Sequence, residues 1–213
     1  KLMLPVFAIR ELCPEVSTRL TTLKQACSLF ANSEYFEMIL RKQPALKSQD
    51  VVVALKIALS ADAAPTFSQL GRMLRMSASE VHGAAQRAIT SRLLDQASGS
   101  LRANKSSLHE FLLHGVRYAF PAVEGPVTRG MPTGVSAPAL RAHFEQSNAM
   151  PLVWPDAHGQ ERGQSICPLY PTVPAACQED AQLYEALAAL DAVRGGAARE
   201  RELAAKLLAR MLL

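Results

Sequence analysis

Residues 68–94 read SQLGRMLRMSASEVHGAAQRAITSRLL and hold two helix-length apolar patterns joined at RMSAS. Thr66 lies three positions before Gln69, and Ser77 lies three positions before Glu80. Each pair is a capping box, in which the hydroxyl accepts a hydrogen bond from a free backbone amide and the longer side chain binds back to the cap. The two boxes therefore predict a helix, a turn and a second helix.

The pattern continues on both sides of this stretch. In SQDVVVALKIALSA, valine, leucine and isoleucine recur at helical spacing after a serine that can cap, which predicts a helix over residues 49–60. After the central stretch, LLDQASGSLRA has two short apolar pieces around Ser98-Gly99-Ser100, which predicts a small β-hairpin. Residues 46–104 thus have the order helix, helix, helix, hairpin.

With LGRMLRMSASEVHGAAQRA at its centre, this region resembles the winged helix-turn-helix domain of MarR-like bacterial transcriptional regulators. Gly71, which follows Leu70, matches the small residue that lets two helices cross closely in that pattern. Arg75 stands where the turn usually carries glycine. A non-glycine residue at positive φ costs about 1 kcal/mol, which favours the looser turn of the winged variants. The resemblance covers residues 48–103.

The resemblance implies that the third helix presents its polar face to DNA. Small side chains let a helix enter the major groove, which is about 12 Å wide, and its free amides face phosphate. We expect Gln86 to bind adenine, Arg87 to bind guanine or a phosphate, and the neighbouring arginines to bind phosphates. The candidate DNA-binding residues are Ser77, Ala78, Ser79, His82, Gln86, Arg87, Thr90, Arg72, Arg75, Arg92 and Arg102.

Charge is concentrated in the same region. The chain of 213 residues has a formal net charge of only +4, but residues 41–105 include ten lysines or arginines and four acids, a local charge of +6. A basic stretch of this kind favours an anionic partner. Two helices joined by a turn also occur in proteins that never bind nucleic acid, and that alternative stays open at this stage.

Other site types find little support in the sequence. The four cysteines are scattered, which argues against a zinc ribbon, and free thiols are favoured over a disulfide between Cys167 and Cys177. His109 and His114 lie five positions apart, not the three or four that suit a metal on a helix. No phosphate-binding loop or nucleophile motif is present. We therefore expect no metal, no cofactor and no enzyme activity.

The sequence contains neither a membrane-spanning segment nor a signal peptide, and this bears on the expected location of the protein. No apolar run approaches the roughly 20 residues of a membrane span, and the N-terminus lacks the order of a signal peptide. We expect a cytoplasmic protein without membrane contact. Residues 1–45 are predicted to be a helical extension that ends at Pro44, and one hypothesis places the natural start near Met38.

Residues 105–213 are predicted to be a mixed region for dimerisation, effector binding or partner binding. Asn104 can cap a fourth helix, KSSLHEFLLHGVRYAF. Residues 121–138 are rich in glycine and proline and predict a loop, followed by a short helix over residues 137–145. Two short strands around His158-Gly159, an extended connection CPLYPTVPAA and two amphipathic helices complete the chain. The expected fold is mainly α with a small β component.

Two questions stay open in this region. Trp154, Tyr170 and Arg129 belong either to a small β subdomain that covers the fourth helix or to the exposed rim of a groove for an effector or partner protein. The apolar rows of the last two helices form either a dimer interface or part of the core. Their members are Leu183, Leu187, Leu190, Val193, Leu203, Leu207, Leu208 and Leu212.

These expectations converge on a homodimeric, sequence-specific regulator of transcription, such as a repressor, that binds double-stranded DNA. The alternative is a protein-interaction module, such as the antitoxin of a toxin–antitoxin pair, that binds a partner toxin and autoregulates through its helix-turn-helix.

Overall fold

Four helices of the fold begin at a side chain that caps their first turn, namely Thr66, Ser77, Asn104 and Asp180. The computed structural model describes residues 45–60, 65–97, 99–144 and 150–213, and the part from Ala45 to Leu213 forms one compact unit. The predicted extension over residues 1–45 lies, apart from Ala45, outside the described residues. The described fold is mixed α/β, largely helical with small sheets.

The first half of the unit has the predicted order of three helices and a hairpin. Its elements are α1 (Ser48–Leu59), α2 (Phe67–Leu74), α3 (Ala78–Thr90), β1 (Leu94–Ala97) and β2 (Ser100–Ala103). Both predicted capping boxes form: Gln69 N donates to Thr66 Oγ1 at 3.3 Å, and Glu80 N donates to Ser77 Oγ at 3.2 Å. The hairpin turn uses Gly99 at φ 79°, a backbone conformation that favours glycine.

Helix α1 is the centre of this half. The run Val51, Val52, Val53, Ala54 and Leu55 is at most 1% exposed, so apolar neighbours surround the helix on every side. The helix begins one residue earlier than predicted, and its cap comes from an acid. Asp50 Oδ2 accepts a hydrogen bond from the Lys47 amide at 2.8 Å.

Within the described residues, the second half adds five helices numbered here, one short 3-10 helix (Gly134–Ser136) and three strands. Helix α4 comprises the α-helix Lys105–Glu110, the π-helical segment Phe111–Gly115 and the last turn Val116–Ala119. Asn104 Oδ1 accepts from Ser107 N at 3.1 Å, which confirms the predicted cap. The remaining elements are β3 (Glu124–Pro132), α5 (Pro138–Arg141), β4 (Leu152–Pro155), β5 (Glu161–Ile166), α6 (Val173–Glu179), α7 (Ala181–Gly195) and α8 (Ala198–Leu212).

The prediction of a loop over residues 121–138 is wrong, because strand β3 occupies the middle of this segment. Glycine and proline serve there to pack strands closely rather than to make turns. A side chain at Gly130 would collide with the carbonyl of Trp154, and Pro126 lies at a register shift where its carbonyl accepts from Ser165 Oγ at 2.7 Å. The predicted extended connection before α7 is also partly wrong, since α6 begins within it with Pro174 in its first turn, where a missing N–H is harmless.

Strands β3, β4 and β5 close into a small barrel. Strand β3 runs antiparallel to both others, and β4 pairs with β5 in parallel through Leu152 with Gln164 and Val153 with Ser165. Both short strands predicted around His158-Gly159 are confirmed. One side of the barrel faces α7.

A buried polar cluster joins this barrel to the helices. Asp191 of α7 accepts from Trp154 Nε1 at 2.6 Å and from Thr133 Oγ1 at 2.8 Å. It also binds Arg194, whose guanidinium donates to the carbonyl of Phe120 at 2.8 Å. Trp154 is 1% exposed, so it lies in the core and not at the rim of a groove.

The apolar rows of α7 and α8 also lie in the core of this chain. Leu183, Leu187, Leu190 and Leu208 are at most 2% exposed, and they pack into the same cluster as α1. These rows therefore belong to the core of the chain, apart from Leu203, which is only partly buried.

Loss of the Asp191 carboxylate should destabilise the whole unit. In Asp191→Ala the buried donors of Trp154, Thr133 and Arg194 lose their shared acceptor, and breaking such a cluster costs about 3–5 kcal/mol. Urea unfolding followed by circular dichroism measures the change. The exposed Asp95→Ala is the control and should stay within about 0.5 kcal/mol of the parent; equal midpoints for the two variants would contradict the prediction.

Candidate nucleic-acid interface

Helix α3 has one buried face and one open face. Val81, Ala84, Ala85 and Ala88 are 0% exposed, and their face packs on α1 and α2. The opposite face is small and polar and carries no large apolar side chain. Its exposed members are Ala78, Ser79, His82, Gln86 and Thr90.

The turn before α3 is tight and firmly held. A Cβ at Gly71 would lie 2.7 Å from the Met76 carbonyl, so only glycine allows α2 to approach the start of α3 this closely. Arg75 adopts the left-handed conformation at φ 56°, the one that favours glycine, so the expectation of a looser turn at this position is wrong. Thr172 at the start of α6 donates to the Leu74 carbonyl at 2.7 Å and helps to hold this strained turn.

Arg87 does not lie on the open face. Its Nε donates to Asp50 Oδ2 at 2.8 Å and its Nη2 donates to Asp50 Oδ1 at 2.6 Å. Asp50 is fully buried and the Arg87 side chain is 21% exposed. The hydrogen bonds to Asp50 raise the pKa of Arg87. The expected contact of Arg87 with a base or phosphate is therefore replaced by an internal ion pair between α3 and α1.

Glu80 combines its capping role with a contact to the second half of the chain. The backbone and hydroxyl of Ser77 hydrogen-bond its carboxylate and, with Tyr170, lower its pKa. Tyr170 donates its hydroxyl to Glu80 Oε1 at 2.8 Å, and this bond raises the pKa of Tyr170. Tyr170 is thus anchored to the first turn of α3.

Three predicted phosphate contacts are free of internal partners. Arg72 on α2, Arg92 after α3 and Arg102 on β2 are exposed, and none of them forms an ion pair with another residue in the described ranges. Arg75 differs, because it is paired with Glu179 of α6. The free cations therefore flank α3 rather than lie on its open face.

Two polar residues of the open face make local contacts. The His82 ring lies edge-on to Phe67 with centroids 5.0 Å apart, which orients it beside the start of α2. The Thr90 hydroxyl donates to the Gln86 carbonyl at 2.9 Å. Both side chains stay exposed at the surface.

The contacts of four residues in this region were not predicted from the sequence: those of Asp50, Tyr170, Thr172 and Glu179, of which Tyr170 was expected only in the β subdomain or at the rim of a groove. Asp50 carried a detectable signal, since an acid in the first turn of a helix is a common cap. The other three act across about ninety residues or more, and no local pattern records such a contact.

Cys167 and Cys177 are free, the first exposed and the second buried.

In the described parts of the chain, no helix combines the length and apolar character needed to cross a bilayer. Within the same residues, no three His, Cys, Asp or Glu side chains are grouped so that they could hold a metal ion.

Comparison of the chain with protein-family models, with curated proteins and with solved structures finds no match.

Removal of the Arg87 guanidinium should lower the free energy of unfolding of the protein by far more than removal of an exposed surface arginine. Arg87→Ala leaves the Asp50 carboxylate buried and unpaired, which costs about 3 kcal/mol. The exposed Arg72→Ala is the matched control and should change the free energy of unfolding by less than about 0.5 kcal/mol. Urea denaturation compares the two; similar midpoints for both variants would show that the ion pair does not hold α3.

Glu80 should make stability depend on acid pH. Because its pKa in the fold lies below the ordinary value of 4.5, its contribution is present above that value and is lost as the pH falls through the folded pKa. In Glu80→Gln this contribution is missing, so the gap in thermal midpoint between parent and variant should narrow between about pH 7 and pH 3. The exposed Glu110→Gln, outside any capping box, is measured as the control; a gap between parent and Glu80→Gln that stays constant over this pH range would refute the prediction.

Proposed function

We propose that residues 46–104 act as a winged helix-turn-helix module, in which α3 enters the major groove of double-stranded DNA, and that the protein regulates transcription. The observation that carries this proposal is the division of α3 into a fully buried alanine-rich face and an open face of small and hydrogen-bonding side chains. A slim polar helix of this kind fits a groove about 12 Å wide.

The contacts around α3 support its orientation toward a partner. The crossing at Gly71 and the ion pair between Arg87 and Asp50 fix α3 on α2 and α1. Both attach to its buried side, so they leave the opposite side open. Arg87 therefore positions α3 on α1, and we do not propose that it contacts a base.

The remaining side chains divide into two roles. On the open face, Gln86 can form two hydrogen bonds with adenine, and Ser79 can bind either donor or acceptor groups. Arg72 on α2, Arg92 after α3 and Arg102 on β2 are exposed and form no ion pair in the described ranges. Guanidinium groups at the margin of a groove bind phosphates, which orients the protein without reading sequence.

A regulator of this kind acts on two half-sites through a two-fold axis, and we include a homodimer in the proposal. Its interface is expected on a surface other than the apolar rows of α7 and α8, because these side chains, apart from the partly buried Leu203, are buried within the chain. Sedimentation of the purified protein measures this part of the proposal directly.

The test is binding to duplexes selected from a random pool, measured by fluorescence anisotropy. We expect affinity to fall steeply between about 50 and 200 mM salt, as counterion release requires. Absence of duplex binding even at low salt would overturn the proposed function.

Variants of the protein should distinguish base contacts from phosphate contacts when they are measured on the selected duplex. Gln86→Ala removes a base contact, so it should cost about 1–3 kcal/mol on the selected duplex and relax preference at one position. Arg102→Ala removes a phosphate contact, so it should weaken all duplexes alike and lower the salt slope by about one. Lys206→Ala on α8 is the control. Equal loss of sequence preference in Gln86→Ala and Arg102→Ala would place the base-reading surface elsewhere.

A further inference from the structure

Two arginines lie directly opposite each other on the barrel. Arg129 of β3 is the cross-strand partner of Arg162 of β5, and opposite residues of an antiparallel pair point to the same face with Cβ atoms about 5 Å apart. Both side chains are exposed. Neither forms an ion pair with another residue of the described ranges.

Two carboxylates that neighbour this pair, one by sequence and one by a backbone contact, are already engaged. Glu161, the neighbour of Arg162, binds Arg141 at 2.7 Å. Asp156, whose amide donates to the Arg129 carbonyl at 3.3 Å, accepts hydrogen bonds from Gln178 Nε2 at 2.7 Å and from the His158 amide at 2.9 Å. The two guanidinium groups therefore face solvent without an assigned counter-charge.

A pair of like charges directly across a ladder destabilises the strands that carry it. An oxyanion held between the two guanidinium groups offsets that repulsion, because each planar fork offers paired N–H donors that match the oxygens of a phosphate. The barrel thus presents a site with the charge and the donor geometry of a phosphate contact.

The barrel is connected to the turn that precedes α3. Arg129 contacts Asp156, and Asp156 binds Gln178 of α6. The next residue of α6, Glu179, binds Arg75 in that turn. A duplex presents phosphates along its whole length, about 34 Å for each helical turn, so under the proposed function phosphates outside the groove that α3 enters are available to a second contact.

We propose that Arg129 and Arg162 together bind a phosphate of the duplex backbone and so extend the DNA contact beyond α3 and the hairpin. This inference rests on the proposed function, because it names a second contact with the same partner. The pair binds phosphate without reading bases, so its contribution is independent of duplex sequence.

The test uses the full chain with the selected duplex and with an unrelated duplex. Arg129→Gln combined with Arg162→Gln should weaken both complexes roughly tenfold at about 100 mM salt and lower the salt slope by about one, because one phosphate contact is lost. The control is Arg199→Gln combined with Arg210→Gln, which removes the same charge from exposed positions on α8 and should change the slope by much less.

Folding is checked in the same samples. Removal of a like-charged pair should leave the thermal midpoint unchanged or raise it, so weaker binding by a folded variant assigns the loss to the site. Arg129→Lys combined with Arg162→Lys keeps both charges but loses the planar forks, and it should retain most of the salt slope while binding more weakly than the parent.

The experiment distinguishes failure of this inference from failure of the proposed function. If the parent binds duplex and the double glutamine variant matches the α8 control in affinity and salt slope, this inference is overturned and the proposed function stands. If the parent binds no duplex at low salt, the proposed function and this inference are both overturned.

Discussion

The buried carboxylate of Asp50 is the constraint on which the orientation of α3 depends. It accepts two hydrogen bonds from Arg87 and one from the Lys47 amide, and a charge removed from water is tolerated only when it is paired and hydrogen-bonded. Rotation of α3 about its axis would leave that charge alone in the core. The ion pair therefore decides which face of α3 is buried and which is open.

The second half of the chain restrains the same region from the other side. Helix α6 reaches the turn before α3 through Thr172 and Glu179, and Tyr170 reaches Glu80. The buried carboxylate of Asp191 joins the barrel to α7. Asp50 thus joins α1 to α3, Asp191 joins the barrel to α7, and the contacts of Thr172 and Glu179 hold the turn at Arg75.

The sequence predicted what depends on near neighbours. Thr66 and Ser77 mark helix starts because each cap and its partner lie three residues apart, and Gly99 marks the hairpin for a similar reason. Strand β3 was missed because its glycines and prolines resemble a loop, while their use in close strand packing depends on Trp154 and Ser165 elsewhere in the chain. The role of Arg87 was missed because its partner lies 37 residues earlier. Amphipathic spacing in α7 and α8 predicted a buried face but could not say whether the covering surface belongs to the same chain.

The internal ion pair of Arg87 also affects which elements of the proposed interface would supply specificity and which would supply affinity. With that cation paired internally, the open face of α3 contributes hydrogen bonds and a slim shape, while the free guanidinium groups lie on α2, after α3, on β2 and on the barrel. Base contacts supply specificity, whereas neutralised phosphates supply most of the salt-dependent affinity. Under the proposed function the two properties would therefore reside on different elements, and sequence preference could change through Ser79 or Gln86 without loss of the general attraction to DNA.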